Sequence, residues 1–134
     1  MDSITTDAVL IHAQDDIVKI RKIVRAKAAE IGLSLVDQTK IVTAASELAR
    51  NALDYGGGGR MHSQILNDLG RRGLRLTFED SGPGIADVEQ ALRDGFTTGG
   101  GLGLGLGGAK RLCNEFKIET APGKGTRITI ARWK

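Results

Sequence analysis

The chain has 134 residues and a formal net charge of +3, and 40% of its residues are apolar while 26% are charged. This composition is typical of soluble globular proteins, so we expect residues 1–134 to form a single domain. The small charge excess and the 4% of aromatic residues available for base stacking argue against a nucleic-acid partner. No apolar run approaches the roughly 18 residues of a membrane span, and no secretory signal is visible. The single cysteine, Cys113, suits a reducing compartment, so we expect a cytoplasmic protein without membrane association.

A strand and two helices are predicted in the first part of the chain. Apolar and polar residues alternate over Asp7–Ala13, which is the period of a strand. Beyond it, apolar residues recur every three or four positions, which predicts a helix capped by Asp15 or Asp16. A second helix is predicted from about Leu35 to Tyr55. We interpret Gly56–Gly59, which follows it, as a turn.

The second predicted helix carries a polar face. Glu47, Asn51 and Asp54 are spaced i, i+4 and i+7, so their side chains point the same way. Such a face is usually solvated, and we interpret Asp54 as a solvated residue. Two glycine-rich segments farther along the chain favour a site that includes Glu47 and Asn51.

The remaining elements predict an α/β sandwich. Strands are expected in two hairpins, and helices are expected before and after a long glycine run. The strands are Arg60–Asn67, Leu74–Asp80, Phe116–Ala121 and Thr126–Arg132, and the helices are Asp87–Arg93 and Ala109–Glu115. The order β-α-α-β-β-α-α-β-β favours a two-layer α/β (α+β) fold in which helices cover one face of a mixed, mostly antiparallel sheet.

The glycine run between residues 99 and 108 has the character of an anion-binding loop. Glycines allow backbone N–H groups to approach a phosphate closely, and Lys110 is expected in the first turn of the helix that follows. A flexible linker is the alternative, but linkers more often contain Ser and Pro than Leu. The dinucleotide fingerprint Gly103-x-Gly105-x-x-Gly108 is formally present, but no strand precedes it, and a Walker pattern is absent.

A second candidate site is the turn that follows Asp80, with the sequence Ser81-Gly82-Pro83-Gly84. A carboxylate fixed at the end of a strand can accept a hydrogen bond from an exocyclic amine. Gly84 would let a flat ring pack close to the backbone. The alternative is an ordinary turn initiated by an aspartate.

In this order and spacing, the motifs resemble the Bergerat-fold ATPases, the group that includes gyrase, Hsp90, histidine kinases and MutL. The segment from Glu47 to Ala52 resembles their N-box, and the segment from Asp80 to Ile85 resembles their first glycine box. Gly101–Gly108 resembles the second glycine box, and Gly125-Thr126 resembles the last. Each motif alone is weak, whereas the full set, which extends across nearly the whole chain, is specific.

A narrower resemblance is to the anti-sigma-factor serine kinases of bacterial partner switching. It is carried by the segments 46–51 and 109–112. Within this group the chain most resembles the RsbT type of switch kinase, which works with the stressosome, because Tyr55 stands where many anti-sigma relatives carry His. The resemblance implies a serine/threonine-protein kinase with a STAS-domain substrate, and it leaves room for activation of a PP2C-type phosphatase by binding. The alternatives are an anti-sigma factor that sequesters a sigma factor, the ATP-binding half of a histidine kinase, and an inactive scaffold.

The same resemblance implies ATP and Mg²⁺ as ligands and assigns roles to individual residues. Asn51 would ligate Mg²⁺, and Glu47 would act as the general base or orient the incoming hydroxyl. Asp80 would accept a hydrogen bond from the adenine amine, and Thr126 would support the adenine through water. The other expected nucleotide-binding residues are glycines of the two boxes and one lysine: Gly82, Gly84, Gly101, Gly103, Gly105, Gly107 and Lys110.

Overall fold

A computed structural model describes residues 2–85, 92 and 105–134 of the chain. The strands within these ranges are β1 (Asp2–Ile11), β2 (Gly59–Asp68), β3 (Arg71–Asp80), β4 (Glu115–Thr120) and β5 (Thr126–Trp133). The helices are α1 (Gln14–Glu30), α2 (Leu35–Asp54) and α3 (Gly105–Arg111). None of these helices has both the length and the apolar character that crossing a bilayer requires.

The five described strands form one sheet in the order β1-β2-β3-β5-β4. Each of the four ladders between them is antiparallel. The β3–β5 ladder begins with the pair Gly73–Trp133 and ends with the pair Asp80–Thr126. At each end of this ladder, two residues that are far apart in sequence therefore lie next to each other.

The helices pack on one face of this sheet. The apolar residues of α1 at i, i+3, i+7 and i+11 are buried, and so is the stripe of α2 that contains Ile41, Ala45 and Leu48. They meet the inward-facing residues of the strands, because side chains of a strand alternate between its two faces. The strand residues of this core are Val9, Ile11, Met61, Ile65, Leu74, Leu76, Phe78, Ile128 and Ile130. The predicted two-layer α/β fold is confirmed.

Side chains also fix where the first two helices begin. Asp16 Oδ2 accepts hydrogen bonds from the backbone N–H groups of His12 and Ala13 at 2.8 and 3.1 Å. Ser34 Oγ accepts one from the N–H of Asp37 at 3.1 Å, which satisfies a donor of the first turn of α2. The two backbone hydrogen bonds hold the pKa of the Asp16 carboxyl below its usual value.

Several predicted element bounds are wrong. β1 extends over Asp2–Ile11 rather than Asp7–Ala13, because it pairs with nearly the whole length of β2. β3 begins at Arg71 rather than Leu74, because the β2–β3 hairpin stays paired up to its turn. The predicted helix over Asp87–Arg93 lies outside the described residues.

The third described helix also differs from its prediction. It spans Gly105–Arg111 rather than Ala109–Glu115, and it therefore begins inside the glycine run. Leu106 is 5% exposed and Ala109 is fully buried, so packing against the core favours the helix despite the low helix propensity of glycine. The chain leaves the helix early because the N–H of Asn114 donates to the carbonyl of Ala131 and begins the pairing of β4.

Candidate nucleotide-binding site

Asp80 lies at the end of β3, on the face of the sheet that the helices cover. Its carboxylate Oδ1 accepts a hydrogen bond from the N–H of Gly82 at 2.9 Å, and the backbone N–H of Thr126 also donates to the carboxylate. Partial burial nevertheless raises the pKa of Asp80 above its ordinary value, since desolvation outweighs these two bonds. The result is a fixed, partly desolvated acceptor at the end of a strand.

Three glycines lie so close to Asp80 or to one another that a side chain would not fit at their positions. A Cβ atom on Gly56 would overlap the Asp80 side chain, and one on Gly125, where φ is +77°, would overlap the Asp80 carbonyl. A Cβ atom on Gly82 would lie 2.6 Å from the Cα of Gly56. Gly56 was missed by the sequence interpretation, which treated it as part of a turn. Its position directly after the helix of Glu47 and Asn51 is the only signal in the sequence that points to it.

The turn after Asp80 is attached to the β4–β5 hairpin. The N–H of Gly123 donates to the carbonyl of Pro83 at 2.6 Å, and the N–H of Ile85 donates to Thr120 Oγ1 at 2.9 Å. Gly84 has φ of +78°, and a Cβ atom there would overlap the Ala121 carbonyl. The hairpin therefore occupies the side on which a side chain of residue 84 would lie, and the expectation that a flat ring packs close to Gly84 stays a prediction.

Helix α2 brings the polar residues of the predicted N-box toward this corner. Glu47 is only 2% exposed, whereas Asn51 is partly buried and Asp54 is exposed. The helix ends when the N–H groups of Gly56 and Gly58 both donate to the carbonyl of Ala52 at 3.0 Å. This ending places Gly56 against Asp80, so the turn that carries Asn51 lies next to the Asp80 corner. Glu47 lies one turn before Asn51, and a buried ionisable residue is a functional-site candidate.

The second glycine segment is divided between described and undescribed residues. Gly105 and Gly107 are buried at the start of α3, which packs against α2. Lys110 lies exposed in the last turn of α3, not in the first turn as expected. Gly101 and Gly103 lie outside the described residues.

Thr126, the first residue of β5, is the antiparallel partner of Asp80. Its Oγ1 lies 2.9 Å from Thr120 Oγ1, and Thr120 in turn contacts the Asp80 turn through Ile85. The sequence interpretation read Thr120 only as a strand residue. A usable signal is that Thr120 and Thr126 flank the turn Pro122-Gly123-Lys124-Gly125, so that as paired residues they face the same side of the hairpin.

No group of three or more His, Cys, Asp or Glu residues in the described ranges is arranged to hold a metal ion. The expected Mg²⁺ ligand, Asn51, is an amide on α2 and would be a single protein ligand. Mg²⁺ is commonly held by one or two protein groups together with water and substrate phosphates. The residues present therefore fit a metal that arrives with a nucleotide.

Sequence relatives match most of the length of the chain. The Bacillus subtilis serine/threonine-protein kinase RsbT is 46% identical over 125 residues, which cover 93% of this chain and 94% of RsbT. The anti-sigma F factor of Thermoanaerobacter sp. (strain X514) is 29% identical over 118 residues, which cover 84% of this chain and 82% of that protein. The resemblance to the anti-sigma-factor kinases, and to their RsbT type, is confirmed.

Two solved structures share the fold. The RsbU and RsbW domains of a Mycobacterium tuberculosis protein superpose with a TM-score of 0.67 at 21% identity over 98% of this chain, which spans 33% of that one. The mycobacterial sensor histidine kinase MprB gives a TM-score of 0.55 at 19% identity, over 96% of this chain and 97% of that one. Residues 36–134, which contain the Asp80 corner and all of α2 except its first residue, match the family described as histidine kinase-, DNA gyrase B- and HSP90-like ATPase. The chain belongs to this ATPase family.

Proposed function

We propose that this protein is a serine/threonine-protein kinase that uses Mg-ATP to phosphorylate a STAS-domain partner protein. The proposal rests on one observation above the others, the partly buried Asp80 carboxylate, which packs against Gly56 and accepts a hydrogen bond from Gly82. The near full-length similarity to a protein named as a serine/threonine-protein kinase supports the kinase activity.

Asp80 would bind the adenine end of the nucleotide. Its carboxylate accepts hydrogen bonds and does not donate them while it is ionised, so it suits the exocyclic amine of adenine. The hydrogen bond from the N–H of Gly82 and the close packing of Gly56 against the side chain keep the carboxylate in one position, which reduces the ordering that binding requires. Thr126 would support the same end of the base through water.

The phosphate end would lie toward α2 and the glycine segments. Asn51 on α2 would ligate Mg²⁺, and backbone N–H groups of the glycine segment that ends in Gly105 and Gly107 would bind phosphate. Bound Mg²⁺ would neutralise charge on the phosphates as the phosphoryl group is transferred. Lys110 is the weakest of the proposed phosphate ligands, because it is exposed in the last turn of α3.

Glu47 would accept the proton of the partner's serine or threonine hydroxyl. It lies one helical turn before Asn51, so the general base and the metal ligand share one face of α2. Its 2% exposure excludes most water from the carboxylate.

An anti-sigma factor is the second candidate function. The support for it is the 29% identity to the anti-sigma F factor of Thermoanaerobacter sp.. In that role the protein would sequester a sigma factor and phosphorylate the antagonist that releases it. Co-purification separates the two functions, because a switch kinase should retain STAS-domain proteins and, by our proposal, a PP2C-type phosphatase, whereas an anti-sigma factor should retain a sigma factor.

The first test is calorimetric titration of Mg-ATP into the wild type and into Asp80→Asn. We expect the variant to bind about 10- to 100-fold more weakly, because it loses a hydrogen bond to a charged acceptor. Asp54→Asn is the matched control, since Asp54 is an exposed carboxylate on α2, and it should bind like the wild type. Absence of ATP binding by the wild type would refute the proposed function.

The second test separates binding from phosphoryl transfer. Glu47→Gln should bind Mg-ATP like the wild type and should transfer the labelled γ-phosphate to a STAS-domain partner about 100-fold more slowly, which is within the range of general-base catalysis. Equal transfer rates for the two proteins would exclude Glu47 as the base.

A further inference from the structure

Thr120, the last residue of β4, lies at the centre of three hydrogen bonds. Its Oγ1 accepts from the N–H of Ile85 at 2.9 Å and donates to the carbonyl of Gly125 at 3.0 Å. The third contact is with Thr126 Oγ1 at 2.9 Å. One partly buried hydroxyl therefore connects the turn after Asp80, the β4–β5 turn and the first residue of β5.

The chemistry of these partners fixes the direction of each hydrogen bond. A carbonyl can only accept, so the single proton of Thr120 is directed to Gly125. The N–H of Ile85 can only donate, and it occupies one lone pair of Thr120 Oγ1. For the third bond to form, Thr126 must donate its proton to Thr120. The oxygen of Thr126 is then left with lone pairs alone to offer to other groups.

This direction matters because Thr126 is the partner of Asp80 in the β3–β5 ladder. Thr126 presents only an acceptor, and the ionised Asp80 carboxylate also presents only acceptors. A corner of this kind favours a ligand group that donates hydrogen bonds, such as the 6-amino group of a purine. A 6-oxo group in the same place would direct its lone pairs at those of the protein, which is unfavourable.

Thr120 also fixes the position of the turn that follows Asp80. The bond to Ile85 and the bond from Gly123 to Pro83 are two attachments of this turn to the β4–β5 hairpin. Removal of the Thr120 hydroxyl would leave the N–H of Ile85 without its acceptor and Thr126 free to rotate its proton toward the ligand. Affinity and base preference would then change together.

We propose that Thr120 is a positioning residue for nucleotide recognition, which acts by orienting the Thr126 hydroxyl as an acceptor and by fixing the Ser81–Ile85 turn. The inference rests on the proposed binding of ATP at the Asp80 corner. It adds a residue that does not touch the nucleotide and that determines the preference of the corner for a 6-aminopurine over a 6-oxopurine.

The test measures the affinities for Mg-ATP and Mg-ITP, which differ at the 6-position, by calorimetry. Thr120→Val keeps the shape of the side chain and removes the hydroxyl. We expect this variant to bind ATP about tenfold more weakly, and we expect its preference for ATP over ITP to fall about threefold or more. Thr120→Ser restores the hydroxyl and should keep both quantities near the wild type. Thr129→Val, on the opposite face of the same hairpin, is the matched control and should change neither.

Three results would overturn the inference while leaving the proposed function intact. The first is an unchanged preference for ATP over ITP in Thr120→Val, and the second is a loss of this preference in Thr120→Ser equal to that in Thr120→Val. The third is an unchanged preference in Thr126→Val, which removes the acceptor itself. The Thr126→Val result tests the inference even if Thr120→Val does not fold. Failure of the wild type to bind ATP would instead overturn both. A loss of ATP preference in the two valine variants with recovery in the serine variant would support the inference.

Discussion

The two ends of the β3–β5 ladder each have a glycine that permits a close contact, but they differ in how far their polar groups are satisfied within the chain. At one end Gly73 lies under the ring of Trp133, and a Cβ atom there would be 2.7 Å from the ring. Trp133 Nε1–H donates to Glu115 Oε2 at 2.7 Å, and its backbone N–H donates to Asn114 Oδ1 at 2.7 Å. The guanidinium of Arg71 lies 5.5 Å from the ring centroid.

At the other end Gly125 permits the approach of Asp80. Here the pKa of Asp80 is raised because the carboxylate is partly desolvated. The Trp133 end satisfies its polar groups within the chain, whereas the Asp80 end retains an acceptor whose charge is unfavourable in the absence of a ligand. We therefore expect similar close packing to support stability at one end and, by our proposal, binding at the other, and the following variants test this difference.

The largest effect is expected for Gly56→Ala, because the added Cβ atom would overlap the Asp80 side chain. Displacement of the carboxylate by about 1 Å should weaken Mg-ATP binding on the order of 100-fold, as measured by calorimetry. The neighbouring variant Gly57→Ala is the control. Gly57 has φ of +71° and nothing within 4 Å of an added Cβ atom, so Gly57→Ala should cost about 1 kcal/mol of stability and leave binding unchanged.

Equal ATP affinities for Gly56→Ala and the wild type would contradict this explanation. They would mean that Asp80 can move without loss of binding, and that the three surrounding glycines do not fix the site.

An intermediate effect is expected for Gly73→Ala at the opposite end of the ladder. The added Cβ atom would press on the Trp133 ring, and overpacking of this kind costs about 1–3 kcal/mol of unfolding free energy, measurable by urea titration. Mg-ATP affinity should be unchanged, since the contact lies at the far end of both strands. Weaker ATP binding would show that the two ends are coupled through the ladder.

The smallest effect concerns how two carboxylates change stability with pH. Arg132 Nη2 donates to Asp37 Oδ1 at 2.7 Å, and this bond holds the pKa of Asp37 below its usual value of 3.8. The ion pair therefore stabilises the fold above pH 3.8, and the stabilisation is lost as the pH falls through the lowered pKa. For Asp80, whose pKa is raised, stability is instead greatest below its usual value of 3.8 and decreases as the pH rises through the raised pKa.

Thermal unfolding of the ligand-free protein between about pH 2 and pH 7 measures both contributions. The Tm difference between the wild type and Asp37→Asn should favour the wild type at neutral pH and shrink in acid. For Asp80→Asn the difference should shift in favour of the variant as the pH rises. Parallel pH profiles for the two variants would contradict the assignment of one carboxylate to stability and the other to binding.

Local patterns in the sequence predicted most of the fold and part of the site. The apolar periodicity of α1 and α2 and the alternation in the strands are local signals, and they located the core and the positions of Asp80 and Thr126. The start of α3 was wrong because glycine has a low helix propensity, and only the tertiary burial of Leu106 favours a helix there. Lys110 was misplaced for the same reason.

The contacts around the Asp80 turn were not predictable from local patterns. Gly56 touches Asp80, and Thr120 touches Ile85, which is 35 positions away in sequence. Gly56 and Thr120 do not belong to sequence motifs that predict these contacts, because the contacts form only when the sheet and α2 pack together. The roles of Gly101 and Gly103, which lie outside the described residues, stay predictions.

The position of Trp133 determines what intrinsic fluorescence can report. It is the only tryptophan in the sequence, and it lies seven positions after Thr126, a distance of about 23 Å along β5. Its emission depends on the ring's own surroundings, which are Gly73, Glu115 and Arg71. The signal should therefore follow unfolding of the sheet and remain silent when a nucleotide occupies the Asp80 corner. Fluorescence titrations of a nucleotide therefore need a label at another position. Trp133 itself reports the unfolding of the sheet without interference from bound nucleotide.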